Sequence, residues 1–211
     1  MRRPGDSPEV LRLVDAAADA FDAGQFEEAL ARAEEAAAIA PRSVPALHYY
    51  RAAALAELGR LDEARAAYDR ALAEGKDDVE LLLGAADLCV NRLEEDEPDR
   101  DVLERGLELA RRGARLARRA GDAELAAELA WIEGAALNQL GRADEALPRL
   151  AEAAEVLPES VDVLLEQGIA LYEATGAWRR GPPRASRSTR RLNRPCDEAN
   201  IALWRRLPYP S

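Results

Sequence analysis

The chain has 211 residues, of which 48% are apolar, 33% charged and 5% aromatic, and its formal net charge is −11. This apolar content is too high for a chain that is disordered throughout, and the scarcity of β-branched runs favours an all-helical protein. Residues 1–178 hold 20 basic and 38 acidic residues, so the acidic body disfavours nucleic acids and anionic membranes as partners. A stretch of about 18 apolar residues, which could span a bilayer, is lacking.

The first helix is predicted to begin at Ser7-Pro8-Glu9, which offers a hydroxyl cap, a proline in the first turn and an acid. Apolar residues then recur with helical spacing, at Leu11, Val14, Ala17 and Phe21. Gly24 ends this helix, and a second helix is predicted from about Phe26 to Ile39. A third helix runs to Leu58 and, after Gly59, a fourth runs to about Ala73.

A short motif opens the second helix of three pairs: a glycine, a spacer, an apolar residue, two acids and an alanine. Its copies are Gly24-Gln-Phe-Glu-Glu-Ala-Leu30, Gly59-Arg-Leu-Asp-Glu-Ala-Arg65 and Gly141-Arg-Ala-Asp-Glu-Ala-Leu147. Glycine tolerates the left-handed backbone that ends a helix, and acids in the next first turn face the positive end of the helix dipole. Each copy therefore predicts a helix hairpin.

Hairpins of two helices of about 12 to 15 residues, at a period near 34, resemble the tetratricopeptide repeat (TPR) family. The small residue that the family places midway along each first helix is matched by Ala17, Ala52, Gly84, Gly134 and Gly168. The small residues of the second helix are matched by Ala29 and Ala36, Ala64 and Ala71, and Ala146 and Ala153. The early aromatic position departs from the family pattern, with Leu13, His48, Glu80, Ala130 and Leu164.

The resemblance covers residues 8–178 and implies an all-α, right-handed α-solenoid of stacked antiparallel hairpins with about four and a half repeats. Its units are predicted at 8–43, 44–76, 77–120, 121–159 and, in part, 160–178. Residues 1–7 are expected to be disordered, as is most of an arginine- and proline-rich tail at 179–211. Successive hairpins are expected to cover one another's apolar stripes.

The third unit is irregular, because Gly84 and Gly134 are 50 residues apart. If Gly106, Ala110 and Gly113 are the small residues of its second helix, ten extra residues fall between its helices and six more before Trp131. The acidic run at 93–101 lacks the alternating ligands of a calcium loop. We interpret it as a solvated loop that caps the next helix.

In the TPR family, the first helices of the units line a concave surface that binds a peptide. Carried over by position, this resemblance implies a groove of aromatic and acidic character, which suits a basic protein or peptide with apolar anchors. The groove residues would be Asp15, Ala18, Phe21, Asp22, Tyr49, Tyr50, Glu57, Leu82, Ala85, Cys89, Trp131, Ala135, Asn138, Gln139, Glu166, Ile169 and Tyr172.

Features of an enzyme are scarce in this sequence. His48 is the sole histidine, which excludes multi-histidine metal sites, and Cys89 is interpreted as a small core residue. We expect no catalytic residue, metal or cofactor. Two cysteines, Cys89 and Cys196, favour a reducing cytoplasm as the location.

The sequence thus predicts a non-enzymatic, acidic, cytoplasmic scaffold or adaptor that binds a protein or peptide. The alternative is the regulatory or docking region of an enzyme whose catalytic domain is absent from this chain. The tail at 179–211 has three interpretations: a product of a changed reading frame, a basic segment that folds over the acidic groove, or a nucleic-acid-binding segment. A short amphipathic helix is possible within it, at Asp197–Leu207.

Overall fold

The structure is a computed structural model that describes residues 7–39, 45–74, 78–92 and 99–175. Every regular element in these ranges is an α-helix, so the predicted all-α helical-repeat fold is confirmed. The helices are α1 (Pro8–Asp22), α2 (Phe26–Ile39), α3 (Pro45–Glu57), α4 (Leu61–Ala73), α5 (Val79–Val90), α6 (Arg100–Ala120), α7 (Ala123–Gln139), α8 (Ala143–Val156) and α9 (Val161–Ala174).

The helices stack as hairpins in two layers. The odd-numbered helices, here called A helices, contact one another in succession, α1 with α3, α3 with α5, α5 with α7 and α7 with α9. Each even-numbered or B helix packs against the A helix before it and the A helix after it. One large apolar cluster extends from Ala20 in α1 to Ala170 in α9, so neighbouring hairpins share a continuous core.

Glycines set the hairpin turns, as the repeated motif predicts. Gly24, Gly59 and Gly141 have φ of 72°, 73° and 71°, a left-handed conformation that costs other residues energy. After each glycine the next backbone N–H bonds back into the preceding helix, for example from Gln25 to the carbonyl of Ala20 at 2.8 Å. These bonds pair carbonyls that the helix end would leave free.

Close helix approach depends on small residues. A Cβ atom added at Gly134 of α7 would lie 2.4 Å from Cγ of Leu150 in α8, and one at Gly84 would lie 2.2 Å from the hydroxyl of Tyr68. Both distances are far below van der Waals contact. The predicted small positions on these first helices are therefore sites where the neighbouring side chain lies directly against the backbone.

The irregular third unit contains the longest helix, α6, which spans 21 residues and begins at Arg100. Gly106, Ala110 and Gly113 are buried in it, in agreement with their prediction as small positions. The loop was predicted at 93–101, but residues 100 and 101 belong to α6. Asp99 caps this helix by accepting a hydrogen bond from the N–H of Asp101. Residues 93–98 lie outside the described ranges.

At the first helix, the expected hydroxyl cap is absent: Ser7 has extended backbone, and its side chain makes no capping bond. Its backbone carbonyl accepts from Leu11 N–H at 3.1 Å instead. The predicted disordered tail at 179–211 and all but the last residue of the 1–7 segment lie outside the described residues. Within the described part of the chain, none of the helices has both the length and the apolar character that a membrane crossing requires.

Candidate functional site

Negative charge is concentrated on the A helices. These five helices contain two basic residues, Arg12 and Arg51, against thirteen acidic residues, whereas the four B helices contain eleven basic against fourteen acidic. Seven of the B-layer arginines belong to α6. Helices α5, α7 and α9 have acids and no Lys or Arg. Glu57 and Asp87 pair with Arg92, and the buried Glu133 pairs with Arg111, but the other acids of the A helices still outnumber their two arginines. The surface that the A helices present, here called the A-helix face, is therefore acidic.

Four aromatic rings from three helices meet on the first two hairpins. The ring centroid of Phe21 in α1 lies 6.4 Å from that of Tyr49 and 6.0 Å from that of Tyr50, and the two tyrosine rings are 5.1 Å apart. Phe26, at the start of α2, adds an edge-on contact with Phe21 at 5.4 Å. The structure thus brings together three predicted groove residues. The fourth ring, Phe26, was not predicted, because it belongs to a B helix.

Carboxylates from two A helices surround the tyrosine of α3 that faces α1. Desolvation by burial, followed by the charges of Glu80, Asp22 and Asp15, raises the pKa of Tyr50. These charges belong to α5 and α1, on either side of α3. Tyr50 therefore lies between the acidic residues of two neighbouring hairpins.

The second tyrosine of α3 extends this environment to α7. Burial is the main cause that raises the pKa of Tyr49 to about 12, and the charges of Glu80 and Glu128 act in the same direction. Glu80 is thus electrostatically coupled to both tyrosines. The carboxylate charges that act on the two tyrosines of α3 therefore belong to α1, α5 and α7.

Two of these carboxylates have acidic neighbours. Desolvation, then the charges of Asp78 and Asp122, raises the pKa of Glu80. Desolvation, then the charges of Glu124 and Asp122, raises the pKa of Glu128. The charged form of each glutamate is therefore disfavoured by its surroundings.

We call this set of residues the acidic aromatic patch. It consists of Asp15, Phe21, Asp22, Tyr49, Tyr50, Glu80, Asp122, Glu124 and Glu128. The last four residues were not among the predicted groove residues. The sequence could have indicated them, since α5 and α7 contain acids and no basic residue.

Five predicted groove residues are buried and cannot contact a ligand on the A-helix face. The reason is that α5 and α7 are central helices, which neighbouring hairpins cover on both sides. The buried residues are Leu82, Ala85, Cys89, Ala135 and Asn138. Ala18 is partly buried, and Trp131 packs in part against the core. We remove the five buried residues from the set of direct ligand contacts.

Other predicted groove residues connect helices. Gln139 of α7 donates from Nε2 to the carbonyl of Val90 at the end of α5, at 3.0 Å. Glu57 pairs with Arg92, which also binds Asp87 at 3.0 Å. Glu166 of α9 accepts a hydrogen bond from Asn138 at 2.7 Å. Ile169 and Tyr172 are exposed on α9, the last A helix described.

The two side chains considered for chemistry in the sequence, Cys89 and His48, lie in different helices, α5 and α3. Burial raises the pKa of the Cys89 thiol, which opposes formation of a nucleophilic thiolate. His48 is partly buried in α3. Among the described residues, His, Cys, Asp and Glu side chains form no group of three that could hold a metal ion.

Comparison with known proteins supports the fold. Residues 20–99 match the family model Tetratricopeptide repeat. The thermophilic TPR protein TTC0263 of Thermus thermophilus has a TM-score of 0.61 at 19% identity, over 82% of this chain and 92% of that chain. MamA MSR-1 has a TM-score of 0.60 at 19% identity, over 82% and 91% of the two chains. A search of curated proteins gave no match.

The two-layer stack of hairpins defines a helical-repeat protein, in agreement with the fold of the similar solved structures. More particularly, residues 20–99 match the tetratricopeptide repeat model, and the predicted resemblance to the TPR family is confirmed. TPR domains in general bind protein partners.

Proposed function

We propose that this protein is a non-enzymatic scaffold that binds a basic peptide or protein segment on the acidic aromatic patch of its A-helix face. The observation that supports this most directly is the surroundings of Glu80 and Glu128. Both carboxylates are coupled to further acids and to Tyr49, and their pKa values are raised. The patch therefore holds negative charge that the fold itself leaves poorly compensated.

A cation would relieve this repulsion. A lysine or arginine beside Glu80 or Glu128 would offset the repulsion between like charges with attraction between opposite charges, which is the electrostatic complementarity found at specific interfaces. The tyrosine rings add a surface for apolar side chains and for cation–π contacts, worth about 0.5–2 kcal/mol each. An arginine-containing segment suits the patch best, because a guanidinium can stack on a ring while it donates to a carboxylate.

We further propose that the partner is a protein and that this chain is located in a reducing cytoplasm. The phosphates of nucleic acids and anionic lipids would be repelled by the same carboxylates that attract a basic peptide. A free, buried thiol at Cys89 is in keeping with a reducing compartment.

Binding of fluorescent peptides of matched length, basic in one series and neutral in the other, tests the proposal. We expect the double variant Glu80→Gln with Glu128→Gln to weaken binding of the basic series about tenfold or more, which corresponds to about 1.4 kcal/mol. Tyr49→Ala with Tyr50→Ala is expected to weaken it as well. Added salt should also lower the affinity, because the attraction is between charges at a surface.

A matched control removes the same charge from the B layer, by Glu27→Gln with Glu155→Gln, two exposed glutamates of α2 and α8. We expect this control to change the affinity much less. Equal losses in the two double variants would show that net charge, and not the patch, attracts the peptide. Unchanged affinity in the patch variants with intact helical content would refute the proposal.

A further inference from the structure

The last described helix, α9, exposes an apolar stripe. Val161, Leu165, Ile169 and Tyr172 are 67%, 51%, 37% and 51% exposed. Their spacing of three and four residues places them on one side of the helix. A stripe of this size on an A helix is a surface on which another apolar helix can pack.

Comparison with α7, one repeat earlier, indicates what packs on such a stripe. The residues 34 positions before Val161, Ile169 and Tyr172 are Ala127, Ala135 and Asn138, which are 2%, 0% and 6% exposed. Helix α7 packs against both α8 and α9, and Asn138 donates a hydrogen bond to Glu166 of α9. Leu150 of α8 lies directly against Gly134, whereas no described atom lies within 4 Å of a Cβ built at the equivalent Gly168.

We propose that residues 197–207 dock on this stripe as the second helix of the fifth hairpin, with Leu203 against Gly168. The sequence supports this occupant, because Asp197-Glu198-Ala199 repeats the Asp-Glu-Ala triplet of the first turns of α4 and α8. Four residues after the triplet's alanine, α4 has Tyr68 and α8 has Leu150, both buried. The residue at the same distance from Ala199 is Leu203.

The charges agree with antiparallel packing. With Leu203 at Gly168, an antiparallel register would place Arg205 near Glu166 and Ala199 near Tyr172. The acids of α9, Asp162, Glu166 and Glu173, are accompanied by no basic residue in that helix. The same antiparallel register joins α7 to α8, where Ala130 and Ala153 share one apolar cluster.

The connection between α9 and this segment is long but feasible. It comprises the 22 residues 175–196, and the entropic cost of closing a loop grows only with the logarithm of its length. The third hairpin already has an extended connection, residues 91–99, between α5 and α6. A tethered segment also has a high effective concentration at α9, which favours it over a second copy of the chain.

Paramagnetic relaxation in the full chain tests this inference. Cys196 precedes the segment, and Cys89 is buried, so a nitroxide label can be attached to Cys196. We expect the label to broaden backbone amide signals at the C-terminal end of α9, near Thr175. Leu203→Asp and Gly168→Ala should each reduce this broadening, whereas Leu192→Asp, outside the segment, should leave it unchanged.

A mixed sample distinguishes docking within one chain from docking by a second copy. In this sample, some chains carry the isotope without nitroxide, and the others carry the nitroxide without isotope. Broadening of α9 in this mixture would show that a second copy docks there, which would overturn the inference. In the sample whose chains carry both the isotope and the nitroxide, absence of broadening would overturn the inference as well. So would broadening that Leu203→Asp does not reduce. Because these signals do not depend on peptide binding, the test is independent of the proposed function.

Discussion

Asn138 of α7 donates hydrogen bonds from Nδ2 to both acceptors of Glu166 in α9, at 2.9 Å to its backbone carbonyl and 2.7 Å to its carboxylate. Both residues were predicted to contact a ligand. Asn138 is 6% exposed, so the pair holds two successive A helices together. The position that this family resemblance assigns to recognition is therefore used for the packing of repeats.

We expect Asn138→Ala to lower the free energy of unfolding by about 2 kcal/mol, because it removes two hydrogen bonds between α7 and α9, one of them to a carboxylate. Urea denaturation measures this loss. Gln139→Ala is the matched control: Gln139 is exposed and makes one bond, to Val90, so its loss should be under about 1 kcal/mol. If Asn138→Ala is as stable as the parent chain, the bond does not stabilise the repeat junction.

A second prediction concerns the contact between Gly134 and Leu150. Gly134→Ala is expected to destabilise the protein by about 1–3 kcal/mol, because the added Cβ overlaps the Leu150 side chain. Leu150→Ala is expected to cost about 2–5 kcal/mol, since it removes a fully buried side chain.

The double variant Gly134→Ala with Leu150→Ala tests whether the new Cβ overlaps the Leu150 side chain or affects helix packing in general. Removing the Leu150 side chain makes room for the new Cβ, so the loss in the double variant should be smaller than the sum of the single losses. Thermal or urea unfolding of the four proteins gives the coupling. Additive losses would contradict close contact at Gly134.

Glu80→Gln is predicted to raise stability while it weakens binding of a basic peptide. The neighbouring charges of Asp78 and Asp122, together with desolvation, disfavour the ionised form of this glutamate. Removing a charge repelled by like charges at the surface should stabilise the chain by about 0.3 kcal/mol at neutral pH. The binding that we propose for this patch would thus have a cost in stability, which urea denaturation of the parent and the variant measures.

The same repulsion predicts the direction of the pH dependence. Because folding raises the pKa values of Glu80 and Glu128, the folded state binds more protons than the unfolded state just above the ordinary glutamate pKa of about 4.3. Their contribution to stability is therefore complete at lower pH and is lost as the pH rises through the raised values. Urea midpoints of the parent and the Glu80→Gln, Glu128→Gln variant should converge on acidification. A constant difference would contradict the assignment.

Tyr49 should lose its proton at a higher pH than an ordinary tyrosine. Its pKa is raised to about 12, mainly by burial, against an ordinary value of about 10. Stability from this group is full below about pH 10 and is lost as the pH rises through about 12. Phenolate absorbance, compared between the parent and Tyr49→Phe, isolates the group. A difference spectrum that titrates near the ordinary value would show that Tyr49 is solvated.

The sequence predicts the hairpins well because local chemistry determines them. Gly24, Gly59 and Gly141 each need a left-handed backbone, and two acids follow each within three to four residues. The bounds predicted for α2 are those observed, Phe26–Ile39. Turn chemistry of this kind depends on neighbouring residues and requires no knowledge of tertiary contacts.

The site was predicted less completely, because exposure depends on which hairpins lie on either side. Leu82 and Ala135 occupy positions that face a ligand in the family pattern, yet adjacent helices cover them here. Glu80 was noted as a departure from an aromatic position, and its role in the patch depends on Tyr49 and Tyr50 of the neighbouring hairpin. Contacts between hairpins cannot be obtained from helical periodicity within one hairpin.

The 21-residue helix α6 has a mechanical consequence. Its side chains form ion pairs with three other helices, through Arg105 with Asp69, Arg111 with Glu133 and Arg118 with Glu152. These pairs join α6 to both sides of the array, whereas each terminal hairpin described has a neighbour on one side only, so under tension we expect the terminal hairpins to detach first. Unfolding under force would then proceed stepwise from the ends inward, and the central hairpins would unfold last.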